Sequence, residues 1–193
     1  GPLDLDAASY PAKWQLLAEL TDATILATLR ELGAFSRPSE THTAASLLEA
    51  TGIASAHERL VARWLDRLVA GGFVTRHGDT YTSTGRSPDR SLDALWTEAE
   101  RAFADNRELL AYVRNCATRI GAIVTGRQSA LESLFPDGSF DLATALYERS
   151  AMMRYVNALA ATAIGAMLPS FPPGRELRVL EIGAGTGGTK SGI

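Results

Sequence analysis

Residues 178–193, RVLEIGAGTGGTKSGI, restrict the possible folds of this chain more than any other stretch. The run LRVLEI, residues 177–182, is short and apolar and leads directly into glycines, which is typical of a buried parallel strand followed by a ligand-binding turn. Glycines at such a turn permit positive φ angles and let the backbone approach a ligand closely. The pattern predicts the first strand of an α/β domain, followed by a helix whose N-terminus faces a cofactor.

Two common glycine loops fit this stretch less well. Dinucleotide sites use G-x-G-x-x-G with an acidic residue about 20 positions later, whereas here the third glycine comes one place early and Glu181 precedes the first. A phosphate-binding loop requires G-x-x-x-x-G-K-[ST], and Lys190 is displaced from that pattern by one place. The pattern that remains is E-x-G-x-G-x-G, formed by Glu181, Gly183, Gly185 and Gly187.

Three apolar runs within residues 10–84 have helical spacing. They end at Gly33, at Gly52 and at Gly71, where glycine is common just past a helix. At the start of the third run, Ser55 and Glu58 have the spacing of a capping box, in which Ser55 is the N-cap.

Two short β-rich runs around His77, Gly78 and Asp79 predict a hairpin after these helices. Three helices followed by a hairpin is the order of a winged helix. The third helix carries Arg59, Arg63 and Arg67, but also acidic residues, whereas duplex DNA recognition usually needs a net basic surface. We therefore expect a packing or dimerisation module.

The remaining segments complete a three-part organisation. Residues 1–9 are interpreted as a protease-cleavage scar and linker. Residues 85–176 begin with the polar linker GRSPDRS and continue as helices, interrupted by a turn at residues 136–138. Residues 177–193 hold the predicted strand and glycine loop. The expected fold is mainly α, with a winged-helix-like region, a helical subdomain and the beginning of a Rossmann-like α/β core.

Composition excludes several classes of function. The 19 basic and 22 acidic residues give a net charge of −3, which argues against binding to nucleic acid or to acidic membranes. The single cysteine cannot form an intramolecular disulfide. His42, His57 and His77 lack metal-ligand spacing, and we expect surface or structural roles for them. We expect no apolar run to reach the ~20 residues of a membrane helix, so a cytoplasmic location is the default.

The acid two places before the first glycine resembles motif I of class I S-adenosylmethionine-dependent methyltransferases. By this resemblance, Glu181 orients the amino group of the cofactor, directly or through water. Gly183, Ala184 and Gly185 pass beneath the cofactor, and Gly187 completes the loop. S-adenosylmethionine is therefore the implied cofactor.

Three blocks in order, LFPDGS, LYERSAMMRYVNALA and LEIGAGTGGT, resemble the methyltransferase domains of polyketide synthases. These domains carry an N-terminal helical lid before the core. The family pattern places a tyrosine, a serine, a tyrosine and an asparagine at Tyr147, Ser150, Tyr155 and Asn157. The resemblance implies that Tyr147 and Tyr155 help to close the lid on cofactor or substrate; alternatively, both rings only pack the lid helix.

The same resemblance implies C-methylation of a β-ketoacyl chain. The implied partners are an acyl carrier protein that holds the polyketide intermediate and the neighbouring synthase domains. The catalytic base of the family, a histidine supported by an acid, is expected downstream of Ile193, so this chain contains no catalytic residue and is expected to be inactive alone. Two alternatives stay open: a non-catalytic scaffold derived from a methyltransferase, and an O-methyltransferase.

Overall fold

The computed structural model describes residues 6–171 together with Leu180 and Ile182. Within these residues the α-helices are α1 Tyr10–Glu31, α2 Ala44–Thr51, α3 Glu58–Ala70, α4 Leu92–Ala102, α5 Arg107–Val124, α6 Asp141–Thr144 and α7 Ala151–Met167. The strands are β1 Thr41–Thr43, β2 Val74–His77 and β3 Thr80–Ser83. A π-helical turn spans Ala145–Arg149. The expected mainly α fold is confirmed.

The three strands form one antiparallel sheet in the order β1-β3-β2. Thr41 pairs with Thr82, and Val74 pairs with Ser83. The predicted hairpin is confirmed, because β2 ends at His77 and β3 begins at Thr80.

The first hydrophobic core lies between this sheet and the helices around it. Its fully or nearly fully buried members include Leu26, Leu29, Phe35, Leu47, Val61, Leu65, Leu68, Val74 and Val124. Val124 is the last residue of α5, so a helix from the second predicted segment closes the core of the first. The boundary between residues 84 and 85 stays a prediction.

The second core joins α1 to α4 and α5. It contains Leu16, Leu17, Leu20, Ala23, Leu95, Ala99, Phe103 and Leu110. Both α1 and α5 contribute to the two cores and so connect them, because Leu110 of α5 lies in the second core and Val124 in the first.

Glycines end the helices where the sequence predicts. Gly33 and Gly52 follow α1 and α2 with φ angles of 98° and 67°, a conformation that costs glycine little. The capping box predicted at Ser55 is wrong: a short 3₁₀ turn covers Ser55–His57, and α3 begins at Glu58 without a side-chain cap. The Ala54 N–H, which donates to the Val124 carbonyl at 2.9 Å, ties this turn to α5 instead.

The loop after α1 is fixed by a single carboxylate, that of Glu40. Its two oxygens accept hydrogen bonds from the backbone N–H groups of Phe35, Ser36 and Arg37 at 2.9–3.1 Å, and His42 Nε2 lies 2.8 Å away. Phe35 has a φ angle of 57°, which is costly for a residue other than glycine. Burial acts to raise the pKa of Glu40, but the hydrogen bonds from His42 and the backbone outweigh it and leave the pKa below its usual value.

We expect Glu40→Ala to lower the free energy of unfolding by about 2 kcal/mol at pH 7, since hydrogen bonds to a charged group contribute about 1.5–3 kcal/mol. The pKa is lower in the folded state, so this contribution is present above about pH 4.5 and is lost as the pH falls through the folded value. Urea titrations at pH 7 and pH 3 measure both effects. Glu49→Ala, at an exposed site on α2, is the control, and an equal loss at pH 3 would contradict the assignment.

Candidate functional site

The predicted glycine loop falls outside the part of the chain that the structure describes. Glu181, Gly183, Ala184, Gly185 and Gly187 therefore remain predictions. Leu180 and Ile182, the two described residues of the predicted strand, are 85% and 90% exposed.

Tyr147 lies at the centre of the π-helical turn between α6 and α7. The turn is closed by the Ser150 N–H, which donates to the Ala145 carbonyl at 2.9 Å, five residues back. Single π-helical turns are frequent at functional sites. The Tyr147 side chain is 45% exposed, so its ring is available to a ligand or to another part of a longer protein.

Tyr155 lies on α7, the helix that follows this turn, and is half-buried. No hydrogen bond or ring contact joins Tyr147 directly to Tyr155 within residues 6–171. Asn157, two positions after Tyr155 on α7, makes the connection instead. Its Nδ2 donates to the Tyr147 carbonyl at 3.4 Å. The structure thus brings three members of the family pattern together, namely Tyr147, Ser150 and Asn157.

Tyr112 on α5 is a neighbour of Tyr147 that the sequence interpretation missed. Burial is the main cause that raises the pKa of Tyr112 to about 12. A hydrogen bond with Cys116 and the proximity of Tyr147 also raise it. The available sequence signal was the i, i+4 spacing of Tyr112 and Cys116, which places them on one helix face.

Tyr112 and Cys116 line an apolar cavity of about 310 Å³ that lies between three helices. Its walls come from α1, α3 and α5, and include Leu20, Ile25, Trp64, Tyr112, Cys116 and Ile120. The volume is at the lower end of the range for small-molecule pockets.

One of the three arginines predicted on α3 pairs with α1. Arg67 Nε donates to Asp22 Oδ1 at 2.6 Å, and Arg67 Nη2 donates to the Ala18 carbonyl at 3.1 Å. Burial raises the pKa of Asp22, against the lowering effect of Arg67. Arg67 therefore fastens α3 to α1, which leaves Arg59 and Arg63 as the exposed arginines of this face.

One apolar helix is longer than the sequence interpretation expected. The segment Ala151–Ser170 is helical over 20 residues and could cross a membrane by length and composition. Only 6% of its most apolar 18-residue stretch is buried within the protein. A core helix of a soluble protein passes the same test. Among the described residues, no group of three or more His, Cys, Asp or Glu side chains is placed to hold a metal ion.

Comparisons with known proteins place these features in context. No family profile matches the chain. It is 34% identical over 149 residues to pyochelin synthetase PchF of Pseudomonas aeruginosa, which covers 74% of the chain and 8% of that protein. It is 30% identical over 149 residues to polyketide synthase PksR of Bacillus subtilis, which covers 70% of the chain and 6% of that protein. The solved structure of the CurJ carbon methyltransferase superposes with a TM-score of 0.87 and 26% identity.

The CurJ match covers 98% of this chain and 50% of the solved one. The chain thus spans a small part of each synthase and about half of the solved methyltransferase.

Proposed function

Because the chain belongs to the family of methyltransferase domains of polyketide synthases, we propose that its parent domain methylates the α-carbon of a β-ketoacyl chain on an acyl carrier protein. The main support is the CurJ carbon methyltransferase, which matches 98% of the chain. Because that neighbour is a carbon methyltransferase, carbon is favoured over oxygen as the methyl acceptor.

S-adenosylmethionine supplies the electrophilic methyl group in this proposal. Glu181 would accept a hydrogen bond from the amino group of the cofactor, directly or through water, and Gly183, Ala184 and Gly185 would form the loop that holds it. Among the described residues, the fit rests on Tyr147, whose half-exposed ring suits a cationic sulfonium, since aromatic faces attract cations. Tyr155 is proposed to pack beside the same ligand.

The base that forms the enolate belongs, by family resemblance, to a histidine–acid pair beyond Ile193. The residues of this chain bind and orient, and the chain alone is proposed to be inactive.

The N-terminal region is proposed to be a winged-helix-like packing module. The element order α1, β1, α2, α3, β2, β3 supports this. The ion pair between Arg67 and Asp22 removes one arginine from any phosphate contact, which favours neighbouring synthase domains over DNA as the partner. A cytoplasmic location follows from this role, and the apolar residues of α7 are proposed to face protein.

The test uses the complete domain with Glu181→Ala. We expect cofactor affinity to fall about 30-fold, which corresponds to about 2 kcal/mol for a lost charged hydrogen bond. Isothermal calorimetry with S-adenosylmethionine measures this, and mass spectrometry of the acyl carrier protein locates the new methyl group. Glu132→Ala, at an exposed site, should leave both unchanged. Unaltered affinity in Glu181→Ala, or a methyl group on oxygen, would contradict the proposal.

A further inference from the structure

The π-helical turn that carries Tyr147 is locally unusual. A π turn holds one more residue than an α-helical turn, and its i→i+5 hydrogen bond is rare in proteins and frequent at functional sites. Here that bond joins Ser150 N to Ala145 O at 2.9 Å. Because Tyr147 lies inside this turn, the backbone that carries its ring depends on how the turn is held.

Ser150 fixes the end of this turn. Its side chain is nearly fully buried, with the residue 2% exposed. Its Oγ donates to the Leu146 carbonyl at 2.8 Å and accepts from the Met153 N–H at 3.4 Å. A single hydroxyl therefore holds a carbonyl of the turn and caps the N-terminus of α7.

Asn157 holds the turn from the other side. Its Nδ2 reaches back from α7 to the carbonyl of Tyr147 itself, ten residues earlier, at 3.4 Å. Carbonyls at the end of a helical segment lack intrahelical partners, and this amide supplies one. Ser150 and Asn157 thus contact the backbone on both sides of the Tyr147 side chain.

We infer that Ser150 and Asn157 are positioning residues that set the orientation of Tyr147 toward the bound cofactor or substrate. Neither side chain needs to touch a ligand, because each acts on the backbone that carries the tyrosine. This inference rests on the proposed function for the identity of the ligand, but the geometry of the turn is independent of it.

The first experiment is a double-mutant cycle in the complete domain. We expect Asn157→Ala to raise the KM for one of the two substrates about 5-fold with kcat nearly unchanged, since it loosens a ligand contact and leaves the base intact. In a Tyr147→Ala background the same substitution should have no further effect. Ser150→Ala should behave similarly, and Ser150→Thr, which keeps the hydroxyl, should restore the KM. A merely structural role would give the same loss in both backgrounds, which would overturn the inference.

The second experiment uses this chain alone and separates the inference from the proposed function. With labelled tyrosine rings, the Tyr147 NMR signal, assigned through Tyr147→Phe, should shift in Asn157→Ala. The signals of the buried Tyr10 and Tyr81 should not move. Thr162→Ala, which removes a side-chain hydrogen bond elsewhere on α7, is the control. An unmoved Tyr147 signal would overturn the inference, whereas an inactive complete domain with a shifted signal would overturn only the proposed function.

Discussion

Phe103→Ala is expected to lower the free energy of unfolding by about 4 kcal/mol, the largest loss for any single side chain in the second core. Phe103 is 0% exposed and lies just past α4, among side chains from α1, α4 and α5. Its removal leaves a cavity at the point where these three helices meet. The substitution also removes an aromatic ring whose centre lies 5.9 Å from the ammonium group of Lys13.

Urea denaturation followed by circular dichroism measures this loss. Phe103→Leu should recover more than half of it, because leucine refills most of the cavity. Phe140→Ala is the matched control, since Phe140 is 64% exposed and its ring lies 4.9 Å from that of Phe135; it should cost about 1 kcal/mol or less. A loss at Phe103 no larger than that at Phe140 would mean that the second core does not hold α1, α4 and α5 together.

Features that depend on local chemistry were predictable from sequence. The ends of α1 and α2 follow from Gly33 and Gly52, and the hairpin follows from the turn at Gly78. Each of these is set by residues within a few positions of one another. The family was also predictable, because three short motifs in a fixed order carry more information than composition.

Features that depend on contacts distant in sequence were not predictable. Ser55 has the spacing of a cap, but the contact between Ala54 and Val124, 70 residues apart, replaces the expected helix start with a 3₁₀ turn. Arg67 has the same helical spacing as Arg59 and Arg63, yet it alone pairs with Asp22 on α1. Local spacing cannot distinguish these three arginines.

The candidate site has one feature that was predictable from the sequence and one that was not. Tyr147 was found through a motif, whereas the π-helical turn around it was not, because LYERS reads as an ordinary continuation of a helix. The proposed positioning role accounts for the serine and the asparagine of the motif, since Ser150 contacts the Leu146 carbonyl and Asn157 contacts the Tyr147 carbonyl. On this proposal, a motif records how a side chain is held as well as which side chain binds.

Asp105→Ala should lower the free energy of unfolding by about 3 kcal/mol, because it leaves a buried cation without its counter-charge. Lys13 Nζ lies 2.7 and 2.8 Å from the two carboxylate oxygens of Asp105. The lysine side chain is 9% exposed and that of Asp105 is 26% exposed. The ammonium group also sits 4.9 Å from the centre of the Tyr10 ring. The pair joins the start of α1 to the α4–α5 junction, 92 residues away.

The double variant Lys13→Met/Asp105→Ala separates the cost of the unpaired charge from the value of the pair itself. Methionine keeps most of the lysine's apolar stem, and a hydrophobic replacement of a buried pair is often neutral. We therefore expect the double variant to be within about 1 kcal/mol of the wild type, and more stable than Asp105→Ala. Thermal and urea denaturation at constant pH measure all three proteins. A double variant as unstable as Asp105→Ala would show that the carboxylate stabilises this junction by some route other than neutralising Lys13.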